Sequence, residues 1–153
     1  METEPTLAAL RSEFIEKIGL ISQGDGMPRI AGRIMGLMVF DGRAFSFSEL
    51  AEELRVSRGS ISSNARLLED RGVLERVAMP GDRQDYFRLA ADPYATVLRI
   101  VAERTRKASA SIRKTTNALP QGNAAIRNRL QDYSGFYEAL TEAVVQAAEK
   151  VKE

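Results

Sequence analysis

The chain has 153 residues, the size of one domain or two small subdomains, with 44% hydrophobic and 28% charged residues, which excludes a collagen-like or disordered polymer. Its 22 basic and 21 acidic residues leave a net charge of +1, so no bulk field announces a nucleic-acid or membrane partner. It holds neither Cys nor His, which excludes disulfides, thiolate metal sites and thiol redox sensing and removes the commonest general base and metal ligand. An enzyme is therefore not expected, nor a bound metal or cofactor.

The N-terminus, METEPTLAALRSEF, is acidic where a secretory signal needs a basic start and an apolar run. The longest strongly apolar stretch, Ile34 to Phe40, is far shorter than the ~20 residues of a bilayer span. The expected location is the cytoplasm, with no membrane partner. From about Thr6 to Ser22, the residues Leu7, Leu10, Phe14, Ile18 and Ile21 recur at helical spacing and share one face. Gly24, Asp25 and Gly26 interrupt that helix, and Pro28 can occupy the first turn of the next. That helix, with the segment IAGRIMGLMVF, is apolar around most of its circumference apart from Arg29 and Arg33, which predicts a central, buried helix. Ala31, Gly32 and Gly36 on it would admit a close neighbour.

Ser46 and Glu49 form an S-x-x-E capping box that opens a short helix with Leu50, Ala51 and Leu54 inward. Ser57 is a good N-cap for a second, with Ile61, Ala65 and Leu68 on one face and Gly72 at its C-terminal end. Two short helices joined by about three residues make a helix-turn-helix. The stretch VLERVAMPGDRQDYFRL then reads as strand, turn, strand, with MPGDRQ at the hairpin tip. Helix-turn-helix followed by a hairpin is a winged helix.

Pro93 can start a further helix in which Val97, Val101, Ala108, Ile112 and Leu119 keep the period until Pro120 and Gly122 stop it. In the last segment Ile126, Leu130, Tyr133, Tyr137, Leu140, Val144, Ala147 and Val151 alternate by four and three. A helix of about 30 residues would be ~45 Å long, more than a domain of this size covers easily. The simplest use of the excess seam is a second copy of the chain; the other is a helix folded back on its own chain. The expected fold class is mainly α (α+β), with a winged helix-turn-helix over residues 28–90 and dimerisation helices in 1–27 and 91–153.

With Ile61, Ala65 and Leu68 inward, the helical period turns Gly59, Ser62, Ser63 and Arg66 outward, with Arg58 flanking them. Arg can pair bidentately with guanine, while Ser and Asn reach bases or phosphates. Gly59 would let backbone approach a phosphate, and the helix N-terminus favours anions. At the hairpin tip Arg83 is placed to enter a narrow minor groove, and Asp82 is expected to orient it through a charge-assisted hydrogen bond. The cationic footprint has to be local, because Asp41 to Leu89 carries eight basic and nine acidic residues. From Arg99 to Lys114 six basic residues stand against Glu103, which fits a phosphate-facing flank or a solvated helix surface.

These residues resemble the MarR-type winged-helix regulators, and within them the GbsR-like branch. The likeness rests on MPRIAGRIMGLM, FSELAEELRVSRGSISSNARLLEDRGVLERV and MPGDRQDYF, and spans roughly Phe14 to Leu89. It implies a homodimer that binds double-stranded DNA at a pseudo-palindromic operator, as a repressor released by a small effector. On that likeness Ser57, Arg58, Gly59, Ser60, Ser62, Ser63, Asn64 and Arg66 belong to the recognition helix, and Arg83 is the wing arginine. The competing reading is a winged-helix protein-interaction module without DNA binding, which acidic substitutions on the recognition face would mark. Without Cys or His, a small organic ligand is the remaining direct input. Candidate aromatics for its pocket, expected at the junction of DNA-binding lobe and dimer helices, are Phe14, Phe40, Tyr94, Tyr133, Phe136 and Tyr137.

Overall fold

The computed structural model describes residues 3–152. The chain divides into two compact units, Met1–Ala91 and Asp92–Glu153. In the first, helix α1 (Leu7–Gly24) is capped by Thr6, whose hydroxyl accepts the Ala9 N–H at 3.1 Å. Helix α2 (Arg29–Asp41) follows, with Pro28 at its N-cap, one position earlier than the sequence places it. The two helices cross closely because glycines line the crossing. A Cβ at Gly32 would stand 2.5 Å from Ser22 Oγ and 2.7 Å from the Ile18 carbonyl oxygen.

The sequence pattern of α2 is met, with Ala31, Ile34, Leu37 and Met38 all buried. That of α1 is not. Its packed face carries Ile15 and Gly19, while Leu7, Leu10 and Ile21 are exposed and Phe14 and Ile18 are half-buried. Ion pairs join the two helices beside this face. Arg11 forks onto Asp41 with two bonds of 2.8 Å, and Glu16 receives Arg29 at 3.0 Å and Arg33 at 2.9 Å. Arg11 holds the Asp41 carboxyl below the usual range.

The chain next forms β1 (Phe45–Ser46), a strand the sequence pattern does not show, and then α3 (Phe47–Leu54). Ser46 serves both elements, since its hydroxyl also closes the capping box with Glu49. Helix α4 (Arg58–Asp70) ends in a Schellman motif. The Val73 N–H reaches the Leu68 carbonyl at 3.0 Å and the Gly72 N–H that of Glu69 at 2.9 Å, with Gly72 at φ 73. Strands β2 (Leu74–Ala78) and β3 (Asp85–Leu89) make the hairpin, and the antiparallel sheet has the order β1-β3-β2 with Phe45 opposite Phe87. Phe45, Phe87, Ile34, Leu37, Leu50, Leu54, Ile61 and Leu68 are the large, fully buried core, each contributing about 1.5–3 kcal/mol by burial.

The second unit is an antiparallel hairpin of α5 (Pro93–Ala118) and α6 (Ala124–Lys150). Its seam is built from small residues: Ala102, Thr105, Ser109 and Thr116 meet Ser134, Thr141 and Ala148. Thr105 and Thr141 share a hydroxyl hydrogen bond of 2.6 Å, and the Ser109 hydroxyl donates to the Ser134 carbonyl at 3.3 Å. The apolar set of α6 is left largely uncovered, with Ile126, Tyr133, Leu140 and Val151 exposed and Leu130, Tyr137, Val144 and Ala147 half-buried. Helix α1, which the sequence pattern groups with these helices, belongs to the first unit. Among the described residues no helix is long and apolar enough to cross a membrane.

Candidate nucleic-acid interface

Helix α4 is held by its inner face. Ile61, Ala65 and Leu68 are at most 1% exposed, and they fix which residues look outward. Arg58, Gly59, Ser63 and Arg66 are exposed, Ser60 and Ser62 half-buried. The Ser57 hydroxyl accepts the Ser60 N–H at 3.1 Å, so the first turn is capped by a polar residue that remains exposed. Arg58 reaches back to the Ser48 hydroxyl at 2.5 Å, tying the start of α4 to α3. Asn64, which the resemblance gives to the recognition helix, lies off its outward face. It is buried, its side-chain N–H donates to the Ser60 carbonyl at 2.7 Å, and its carbonyl oxygen has no partner. Four residues after Ser60, it falls beside Ile61 and Ala65 rather than beside Ser63, so it cannot present its amide to a base edge from this position.

The turn before α4 adds a residue that the sequence reading misses. Arg55 stands at φ 55, in the left-handed region that non-glycine residues seldom occupy, and its side chain is exposed. The signal was the position itself: the residue closing a short helix before a second N-cap has to reverse the chain.

At the wing tip, a turn closes with the Asp82 N–H on the Met79 carbonyl at 3.1 Å, Pro80 and Gly81 supplying the two corners with Gly81 at φ 79. The expected Asp82–Arg83 pairing is not what forms. The Asp82 carboxylate accepts the Tyr86 hydroxyl at 2.6 Å and the Gln84 N–H at 2.9 Å, and these bonds hold its pKa below the usual carboxylate range. The same bond raises the Tyr86 hydroxyl above the ordinary tyrosine range. A neutral donor four residues on and a local N–H satisfy Asp82 at less conformational cost than a long mobile guanidinium. Arg83 is thereby left exposed and free. At the wing base, Arg76 bridges Glu69 of α4 at 2.9 Å and Asp85 at 3.0 Å, with its guanidinium 5.1 Å from the Phe87 ring centroid. Wing and α4 are thus tied by one side chain.

Charge pairing separates this surface from the rest of the first unit. Arg11, Arg29, Arg33, Arg43, Arg76 and Arg88 all hold a carboxylate. Arg55, Arg58, Arg66 and Arg83 hold none among the described residues, and neither does Arg71 at the end of α4. Unpaired guanidinium groups on a helix-turn-helix and its wing are free to take phosphate or base acceptors. No group of three or more acidic residues able to hold a metal ion occurs among the described residues.

The six candidate effector aromatics separate into sets. Phe14 and Phe40 stack obliquely in the first unit with ring centroids 5.7 Å apart, beside an open groove of about 470 Å³ lined by Leu7, Ala8, Arg11, Phe40, Asp41 and Arg43. Tyr133, Phe136 and Tyr137 cluster on α6, with centroids 5.2–6.5 Å apart. Tyr94, at the start of α5, is exposed.

Residues 25–85, which run from the end of α1 to the first residue of β3, match the model of the MarR family. The chain is 37% identical over 131 residues to the HTH-type transcriptional regulator MmpR5 of Mycobacterium tuberculosis, covering 82% of this chain and 79% of that protein. The chain belongs to the MarR family. A solved crystal structure of a transcriptional regulator shares 32% identity and superposes with a TM-score of 0.72, over 92% of this chain and 96% of the other. The HTH-type transcriptional repressor OpcR of Bacillus subtilis is 30% identical over 94 residues, which is 61% of this chain and 51% of the length of OpcR. As a MarR-family protein the chain is a DNA-binding transcriptional regulator and not an enzyme.

Proposed function

We propose that this MarR-family protein is a homodimeric repressor in the GbsR-like branch, reading a pseudo-palindromic operator through α4 and Arg83 and released by a small organic effector. The observation that carries the reading is the set of arginines without carboxylates, Arg55, Arg58, Arg66 and Arg83, gathered on the turn, recognition helix and wing of a chain whose net charge is only +1. Base reading falls to Ser62, Ser63 and Arg66, and phosphate contact to Ser57, Arg58, Gly59 and Ser60 at the N-terminal end of α4. Asn64 acts from within, by shaping the helix. The exposed apolar stripe of α6 supports the dimer. The direction of regulation is supported by OpcR, a repressor, and the branch by the MPRIAGRIMGLM and MPGDRQDYF segments.

Selection from random duplex DNA followed by footprinting tests operator reading. The expected result is one enriched motif with half-sites about one helical turn apart, or a multiple of it. Recovery of no preferred sequence would sink it. For the effector, thermal shifts with choline-like, betaine-like and aromatic-acid compounds are to be read with and without operator DNA. A true effector shifts the free protein more than the complex, because a ligand moves an equilibrium only by binding its two states unequally.

A further inference from the structure

Helix α5 carries a second cationic surface, separate in sequence from the recognition helix and wing. Between Arg99 and Lys114 stand Arg99, Arg104, Arg106, Lys107, Arg113 and Lys114 against Glu103 alone. At the helical period, Arg99, Arg106, Lys107, Arg113 and Lys114 fall within an arc of about 120°, and Arg104 lies about 60° beyond the Lys107 side of it. That arc borders the Ser109 side at Arg113, which reaches across to α6, and runs away from the seam toward Lys107, and all six side chains are exposed. Arg106 is paired with Glu103 at 2.8 Å, and Arg113 with Glu138. Arg99, Arg104, Lys107 and Lys114 have no carboxylate among the described residues. A solvated helix normally offsets like charges with carboxylates three or four residues away, since like pairs at that spacing destabilise it. Helix α5 does so once and otherwise concentrates cations along roughly 22 Å, the axial rise of about six base-pair steps.

We propose that this face of α5 is a second phosphate-backbone contact, engaging duplex DNA in addition to the surface of α4 and the wing. The proposal rests on the DNA-binding assignment but not on which bases α4 reads. Charge complementarity selects a polyanion, and two features select duplex DNA among polyanions. A membrane-surface helix needs an apolar face free to enter the bilayer, and the small-residue face of α5 is already packed on α6. Single-strand binding surfaces interleave aromatics for base stacking, and Arg99 to Lys114 contains none. What remains is a row of point charges suited to phosphates and indifferent to sequence.

The test compares three variants of the full chain, R99Q/R104Q/K107Q/K114Q, K107Q/K114Q and R66A/R83A, by salt titration of binding to a long duplex of arbitrary sequence and to the selected operator. Each phosphate neutralised contributes about 0.9 to the slope of log K against log salt. The quadruple variant should lose roughly 2 or more from that slope per protomer on both DNAs while keeping its base preference, and K107Q/K114Q alone should give about half that loss. R66A/R83A should show the converse, a weakened base preference with the slope contributed by α5 retained. An unchanged slope in the quadruple and double glutamine variants, beside an altered R66A/R83A, overturns this proposal alone. Unchanged binding in all three overturns the α4 reading as well. Anionic phosphatidylglycerol vesicles that co-sediment the wild type but not the quadruple variant, with equal DNA slopes, would assign the surface to a membrane and overturn the proposal.

Discussion

Arg66 combines what a base-reading residue requires: it is exposed, it has no carboxylate to hold it, and it sits on a helix whose inner face is locked at Ile61, Ala65 and Leu68. Arg66→Ala should weaken operator binding by about 1–3 kcal/mol per half-site and relax preference at one base pair, measured by competition against single-base variants of the operator. Equal loss on every sequence would reduce Arg66 to a phosphate contact. Arg83 depends on its neighbours in a different way. Asp82 and Tyr86 hold the tip while leaving the guanidinium free. Tyr86→Phe removes the hydroxyl from Asp82, so it should lower operator affinity several-fold without touching DNA itself, and the loss should vanish in an Arg83→Ala background. Both bond partners have shifted pKa values, and the signs bound a pH window. The depressed Asp82 contributes order that is full above the usual carboxylate range and is lost as pH falls through its lowered value. The raised Tyr86 contributes order that is full below the usual tyrosine range and is lost as pH rises through its raised value. Wing-dependent affinity should therefore be flat across neutral pH and fall only toward strong acid or strong base.

At the scale of elements, the crossing of α1 and α2 is the most demanding piece of packing. A Cβ at Gly32 would press within 2.7 Å of a backbone carbonyl oxygen, which no rotamer change relieves. Gly32→Ala should destabilise the fold by about 1–3 kcal/mol, seen as a lower thermal midpoint. Gly135→Ala in α6, where a Cβ meets nothing within 4 Å, should instead raise it through a gain of about 0.5–1 kcal/mol in helix propensity. The small-residue stripe Ala31, Gly32, Gly36 was legible because glycine weakens a helix unless a close neighbour fills the space it leaves. Caps and turns were legible on similar grounds: Ser46 with Glu49, Ser57, Gly72 and Pro80–Gly81 each satisfy a local backbone demand that their neighbours in sequence supply. The strand β1 was not legible, since alternation needs more than the two residues Phe45 and Ser46, and Ser46 already reads as a helix cap. The packed face of α1 was not legible because it rests on Ile15 and Gly19 close against α2, and periodicity does not record partners that distant in sequence. The burial of Asn64 follows from its angle on α4, close to Ile61 and Ala65, and membership of the recognition helix by resemblance does not record that angle.

At the scale of the molecule, the seam of α6 and the contacts of α6 are different sets of residues. The hairpin closes through Ser, Thr and Ala, while Ile126, Tyr133, Phe136, Leu140 and Val151 remain 36–57% exposed on α6. In the first unit, Leu7, Leu10 and Ile21 form an exposed apolar face of α1 by themselves. An exposed apolar stripe like that of α6 is seldom left to solvent by a monomer, and a two-fold dimer is the commonest way to cover it. Leu140 lies within the stripe, so a carboxylate there would have to be buried without a partner if two copies meet. Leu140→Glu should sediment as a monomer or an aggregate, whereas Glu142→Lys, on the far side of the same helix, should leave the assembly unchanged. The DNA readout must follow. A dimer holds its second recognition helix at a high effective concentration over the second half-site, so separating the copies should reduce operator affinity by about 100-fold or more. Binding to a single isolated half-site should change little. A wild-type chain that sediments as a monomer at micromolar concentration, or a monomeric Leu140→Glu that still binds the full operator as the wild type does, would show that the apolar stripe serves some purpose other than pairing two readers of one site.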